Sequence, residues 1–224
     1  MGMTLYHGSD KVIEKPELGL GYANNDYGRG FYCTRNLELA KEWACRTPAD
    51  GFANEYSLDQ NGLRVLNLED GFHVLNWLAV LLENRIFDLS SPVSRDARAY
   101  ILENFLPEYR DYDVIIGYRA DDSYFSFAKA FLNNTIPLFA LSHAMRLGKL
   151  GLQVCLKSEL AFSKLTYVGM VPASGSEYYV KRTQRDRKAR EDYFRMLDEV
   201  QSENAVYVMD IVRQKWGNDD ERLF

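Results

Sequence analysis

Gly28-Arg29-Gly30-Phe31-Tyr32-Cys33-Thr34 constrains this chain more than any other stretch. Two glycines one residue apart permit a positive φ and a close approach of backbone to backbone. The aromatic and β-branched residues behind them suit a short strand on a pleated surface. Asn36 is placed to cap a helix that carries Leu37, Ala40, Lys41 and Ala44 at helical spacing. The unit reads as glycine turn, strand, helix. Alternation sends Phe31 and Tyr32 to opposite faces, so one belongs to the core and the other can offer a flat ring to a ligand. The turn alone names no ligand. It lacks the third glycine of a dinucleotide-binding turn and the Gly-Lys-Ser/Thr ending of a phosphate loop.

The remaining pattern mixes strands and helices without regular alternation, which predicts an α+β fold. Met3 to Ser9 reads as a first strand, and residues 10–27, with Pro16, Gly19, Gly21 and Asn24-Asn25, as a loop. Asn61-Gly62 lies between the apolar runs Glu55 to Leu58 and Leu63 to Leu68, a hairpin signal. Phe72 to Asn84 is apolar on nearly every side and predicts a buried helix. Ser94 to Phe105 predicts an amphipathic helix through Ala97, Ile101 and Phe105. Tyr112 to Tyr118 has strand length and is followed by the polar loop Arg119 to Ser123, in which Asp121 and Asp122 read as a helix cap or a cation pair. Ser123 to Leu132 and Pro137 to Leu147 predict helices.

Leu152 to Lys157 predicts a strand with Gln153, Cys155 and Lys157 on one face. A lone polar residue opening such a strand reads as solvent-facing unless a site claims it. Thr166 to Val171 is the last predicted strand, and Pro172-Ala173-Ser174-Gly175-Ser176 the best linker candidate. Beyond it lie a long charged helix, Tyr179 to Val200, and a shorter one, Ala205 to Trp216. The domains are therefore drawn at 1–171 and 172–224.

A hydrophobic fraction of 46% supports a real core, and a net charge of −5 argues against polyanion binding by the whole surface. One local exception is Lys181 to Arg190, where Lys181, Arg182, Arg185, Arg187, Lys188 and Arg190 face a single acid, Asp186. That stretch reads either as a solvated helix face or as a patch that recruits an acidic or nucleic-acid acceptor. Cys33, Cys45 and Cys155 are odd in number and lack Cys-x-x-Cys spacing, which favours a reducing compartment. His7, His73 and His143 form no metal-binding spacing, so no metal is expected. The start of the chain has neither the basic nor the apolar region of a signal peptide, and the apolar run Val74 to Leu82 is too short for a bilayer. The expectation is a cytoplasmic protein with no membrane partner.

Three local features occur in order: His7-Gly8-Ser9 ending the first strand, the aromatic strand after the glycine turn, and Gln153 opening a late strand. The arrangement resembles the ADP-ribosyltransferase superfamily, in the branch with a histidine, tyrosine and glutamate signature, and within it a bacterial group whose function is uncharacterised. Leu5-Tyr6-His7-Gly8-Ser9 is similar to its first motif. Gly28 to Thr34, with Ala40 and Trp43-Ala44 on the following helix, is similar to its second. Leu152-Gln153-Val154-Cys155 stands where the glutamate strand belongs. The resemblance spans about residues 3–170. It implies a split antiparallel β-sandwich with surrounding helices, a helical C-terminal extension, and NAD bound as substrate in the cleft.

On that resemblance, His7 hydrogen-bonds the adenosine-side ribose, the Gly8 backbone grips the carboxamide, and Tyr32 stacks on the nicotinamide. Ser9 and Gly30 belong to the same binding set. Gln153 takes the glutamate position beside the nicotinamide ribose, and residues 146–151 form the acceptor-recognising loop. The implied activity is mono-ADP-ribosyl transfer to a macromolecular acceptor, protein or nucleic acid. NAD hydrolysis and an inactive NAD-binding or partner-binding module are the alternatives. The clan also brings in a toxin role with a neighbouring antitoxin as partner. Losing nicotinamide leaves an oxocarbenium-like ribose. A carboxylate 4 Å away stabilises that charge by about 4 kcal/mol at an effective dielectric near 20. An amide at Gln153 supplies no such charge, which favours single transfer over polymer formation.

Overall fold

The computed structural model describes residues 2–120, 122–146, 151–199 and 205–223. Its elements are β1 (Met3–Ser9), β2 (Phe31–Thr34), α1 (Leu37–Ala44), β3 (Gly51–Leu58), β4 (Val65–Asn67), α2 (Val74–Asn84), α3 (Pro92–Phe105), β5 (Val114–Tyr118), α4 (Asp122–Leu132), α5 (Leu138–Arg146), β6 (Leu152–Leu156), α6 (Glu159–Ser163), β7 (Leu165–Ala173), α7 (Gly175–Glu199) and α8 (Val208–Arg213). The fold is mixed α+β. The strands form a seven-stranded sheet in the order β4-β5-β6-β2-β1-β3-β7. It is mostly antiparallel, with β4 and β5 parallel because the α2–α3 crossover joins them.

Two antiparallel wings make up this sheet. On one side β3 pairs with β1 from Met3↔Leu58 to Ser9↔Phe52, and with β7 from Gly51↔Ala173 to Leu58↔Leu165. On the other, β6 pairs with β2 from Phe31↔Leu156 to Thr34↔Gln153, and with β5 from Val114↔Leu156 to Tyr118↔Leu152. Between the wings, β1 and β2 meet at Tyr6↔Thr34. Continuing that register would pair Gly8 with Tyr32, and there the strands part. The two sheets expected from the resemblance are thus one sheet, thinned to one residue pair at its middle.

Helices cover the face onto which Ile115 and Cys155 project. Their core includes Trp77, Leu78 and Leu81 of α2, Ala97, Ile101 and Phe105 of α3, Phe131 of α4 and Leu141 of α5. Helix α2 buries every residue from Leu75 to Leu82, as its all-round apolar sequence requires. The alternate residues Val114, Val154 and Leu156 join Leu5, Cys33, Leu58 and Ala161 in a second cluster on the opposite face. Helix α1 lies against β1, where a Cβ on Gly8 would overlap the Ala40 carbonyl oxygen and stand 2.7 Å from the Ala44 nitrogen. Only glycine allows that approach.

Two further expectations are corrected. Residues 55–68 form no hairpin: β3 has both edges occupied by β1 and β7, so β4 pairs with β5 at the far end of the sheet. Asn61-Gly62 still makes a turn, with Gly62 at φ +77°. The proposed linker is no linker either, because β7 continues through Ala173 and α7 begins at Gly175. The C-terminal helices also share the main core through Tyr193, Val208 and Ile211, joined by Trp216 just past α8. Among the described residues, no helix is long and apolar enough to cross a membrane.

Candidate functional site

A cleft of about 660 Å³ opens where β1 and β2 part. His7, Gly8, Gly30, Tyr32 and Gln153 all line it. Ser9 does not: its Oγ accepts from Lys11 N at 3.2 Å in a local turn outside the cleft lining. Asp121 and residues 147–150, the core of the expected acceptor loop, lie outside the described residues.

The two glycines of the turn act differently. Gly28 has φ +77° and donates to Asn25 O at 3.0 Å, and a Cβ there would stand 2.7 Å from Asn84 Oδ1. Gly30 is needed for closeness, since a Cβ would stand 2.5 Å from Cys155 Sγ and 2.7 Å from the Leu156 carbonyl oxygen. The turn is thereby pressed onto β6. Tyr32 locks it from inside: its hydroxyl donates to Gly28 O at 2.6 Å and accepts from Tyr27 N at 3.0 Å. Burial raises the phenol pKa, so the hydroxyl stays protonated and the ring stays fixed.

His7 replaces the missing ladder. Its Nδ1 stands 2.6 Å from Tyr32 O, and a carbonyl can only accept, so Nδ1 carries the proton. Burial lowers the pKa, the Tyr32 bond opposes the shift, and nearby Arg46 lowers it further. A neutral imidazole results, with Nε2 as an acceptor for a hydroxyl donor. Phe31 stacks on the imidazole at 4.3 Å and fixes its plane.

Gln153 is buried, at 3% exposure, rather than solvent-facing. Its Nε2 donates to Asp26 Oδ2 at 2.8 Å and to Tyr118 O at 3.1 Å. Both amide protons are committed, so toward a ligand the side chain can present only an acceptor. Tyr118 O also accepts from Tyr27 Oη at 2.6 Å and Trp77 Nε1 at 3.1 Å, which ties the cleft floor to α2.

Asp26, Lys15, Glu17, Arg46 and Arg85 also line the cleft, carry no motif and were not found from the sequence. Asp26, 5% exposed, accepts from Ala120 N at 2.8 Å through the oxygen that Gln153 also contacts. Its Oδ1 stands 3.7 Å from Arg85 Nε. Burial raises its pKa, while the Ala120 amide, Arg85, Gln153 and Arg119 pull it back. Lys15, Arg46, Arg85, Arg119 and Arg182 face the cleft against two acids, Glu17 and Asp26. The cleft is cationic in a chain of net charge −5. Arg119 lies over the Trp43 ring at 4.6 Å, and Trp43 Nε1 is buried without a hydrogen-bond partner. The only signal for Asp26 was an acid just ahead of the glycine turn.

Three of the six basic residues of the stretch on α7 are ion-paired within the chain. Lys181 bonds Glu177 at 2.6 Å, Arg185 meets Glu42 at 2.7 Å, and Arg187 meets Glu191 at 3.3 Å. Arg182 alone of that stretch lines the cleft. Among the described residues, no group of three histidine, cysteine or acidic side chains is placed to hold a metal ion.

The family model described as "Protein of unknown function (DUF3990)" matches residues 3–167. The chain belongs to that family. The matched span holds β1, β2, α1, β6 and every cleft residue named above except Arg182, which lies beyond its end. No curated protein and no solved structure matches the chain.

Proposed function

We propose that the cleft binds NAD, breaks its nicotinamide–ribose bond and transfers ADP-ribose to a macromolecular acceptor. One observation carries this reading. His7, Gly8, Gly30, Tyr32 and Gln153, spread over nearly 150 residues of sequence and chosen for a nicotinamide dinucleotide, line the same cleft. The surrounding chemistry agrees with it. Five cationic side chains suit a pyrophosphate, and the unpartnered Trp43 Nε1 is a donor in want of an acceptor. The acceptor nitrogen of His7 suits a ribose hydroxyl, and the clamped ring of Tyr32 suits a planar heterocycle.

The test is calorimetry with NAD, together with assays of nicotinamide release and of labelled ADP-ribose fixed to acceptors in a lysate. Tyr32→Ala is expected to weaken NAD binding by about 1 kcal/mol or more, through loss of stacking area. Unchanged affinity in a folded Tyr32→Ala protein would overturn the reading. Release without labelling would assign a hydrolase instead, and binding without release an inactive module.

A further inference from the structure

We infer that Asp26 is the catalytic carboxylate of this cleft and that Gln153 is its positioning residue, an inference that rests on the NAD reading above. The chemistry needs an anion near the sugar, because the leaving group departs with the bonding electrons. The strand position beside the ribose holds a neutral amide, Gln153. Both protons of that amide are taken by the protein, one by Asp26 Oδ2 at 2.8 Å and the other by Tyr118 O at 3.1 Å. The glutamine thus hands its place to an aspartate on a neighbouring loop.

Asp26 is built to stand there. Next to it in the chain, Tyr27 is fully buried and anchored through Tyr118 O at 2.6 Å. The turn closes through Gly28 N to Asn25 O at 3.0 Å. One carboxylate oxygen, Oδ2, is filled by Ala120 N and Gln153 Nε2, both at 2.8 Å. The other, Oδ1, has Arg85 Nε at 3.7 Å, too long for a hydrogen bond, and is the oxygen left for a ligand. A purely structural acid needs no place on a cleft wall, and Asp26 has one.

In the reaction the bond from C1′ to the nicotinamide nitrogen breaks, and its electron pair goes to the pyridinium, which leaves as neutral nicotinamide. Positive charge develops on C1′ and the ring oxygen, facing Asp26. A lone pair of the acceptor forms the new bond to C1′, and the acceptor's proton is released to water. No redox partner is needed.

Burial raises the titration of Asp26, against the Ala120 amide, Arg85, Gln153 and Arg119, which lower it, with Tyr27, Tyr32 and Cys155 as its neutral neighbours. The experiment measures NAD affinity, nicotinamide release and its pH profile in the full chain. Asp26→Asn is expected to cut kcat by roughly 100-fold with NAD affinity within about twofold. It should also abolish an acid limb that, in the unaltered protein, lies above the ordinary aspartate range. Wild-type turnover in a folded Asp26→Asn protein would overturn the inference while leaving the NAD reading intact. Absence of NAD binding by the unaltered protein would overturn both. Where Asp26→Asn loses its fold or its NAD affinity, Asp26→Asn with Gln153→Glu decides, because it swaps carboxylate and amide across the same 2.8 Å contact. Turnover regained supports the inference, and a folded, NAD-binding but inert double variant overturns it.

Discussion

Strands β3 and β7 pair from Gly51↔Ala173 to Leu58↔Leu165, whereas β1 and β2 share the single pair Tyr6↔Thr34. The first region is a ladder whose backbone groups satisfy one another. The second is a seam where side chains stand in for the ladder. There His7 Nδ1 bonds Tyr32 O, and the Tyr32 hydroxyl bonds Gly28 O and Tyr27 N. A buried polar group must find a partner. Once the ladder stops, those partners must be histidine, tyrosine, aspartate and glutamine, the residue types that also do chemistry. The seam is therefore both where the sheet is thinnest and where a ligand can be held.

Glycine substitutions test the contrast most severely. Gly8→Ala places a methyl against the Ala40 carbonyl and the Ala44 nitrogen, both backbone, so α1 must move off β1. The expected loss is about 3 kcal/mol, measured by chemical denaturation. Unchanged stability would mean that α1 yields freely and that the seam is not tightly built. Tyr27→Phe removes one of three donors to Tyr118 O and should cost about 1 kcal/mol. Because Tyr27 follows Asp26 directly, that variant should lose activity out of proportion to its stability.

The seam also predicts a pH dependence. His7 has a folded pKa below its ordinary 6.5, mainly through burial, so the unfolded chain binds protons more readily than the folded one. Stability is then complete above about pH 6.5 and falls as pH drops through that value toward the folded pKa. His73, also lowered by burial, adds in the same direction from the N-terminus of α2. A folded His7→Phe protein should show a shallower loss between pH 7.5 and 5.5 in urea titrations, with the His73 part remaining. An identical slope would remove His7 from the account. The smallest effect belongs to the outer wing. A Cβ on Gly169 of β7 meets nothing within 4 Å, so Gly169→Ala should change stability by less than about 0.5 kcal/mol.

Local chemistry was the legible part of this chain. Turn, strand and helix from Gly28 to Ala44 could be read almost residue by residue, down to Asn36 Oδ1 accepting from Leu39 N at 3.1 Å. Each step there depends on neighbours a few residues away. The hairpin failed for the opposite reason. Asn61-Gly62 does turn the chain, but a turn cannot say that β7, arriving a hundred residues later, will occupy the edge of β3. Gln153 was legible as a position and illegible as an environment. Its burial depends on Asp26, 127 residues earlier in the chain, and on a main-chain carbonyl, which composition does not display. Asp26 itself sat in what reads as an ordinary polar loop. Only the fold brings Ala120 N and Gln153 Nε2 onto one of its oxygens.

Arg182 gives the C-terminal helix a meaning beyond packing. It lines the cleft, yet it lies fifteen positions past residue 167, where the family match ends. A gene fragment trimmed to the shared span would keep the floor of the cleft and lose a piece of its wall, along with Tyr193, Val208, Ile211 and Trp216 from the core. Every residue of the proposed NAD site other than Arg182 lies within the shared segment. Helix α7 is packed into the core through Tyr193 and adds one of the five cleft cations, so the charge of the cleft depends on a residue outside the shared segment.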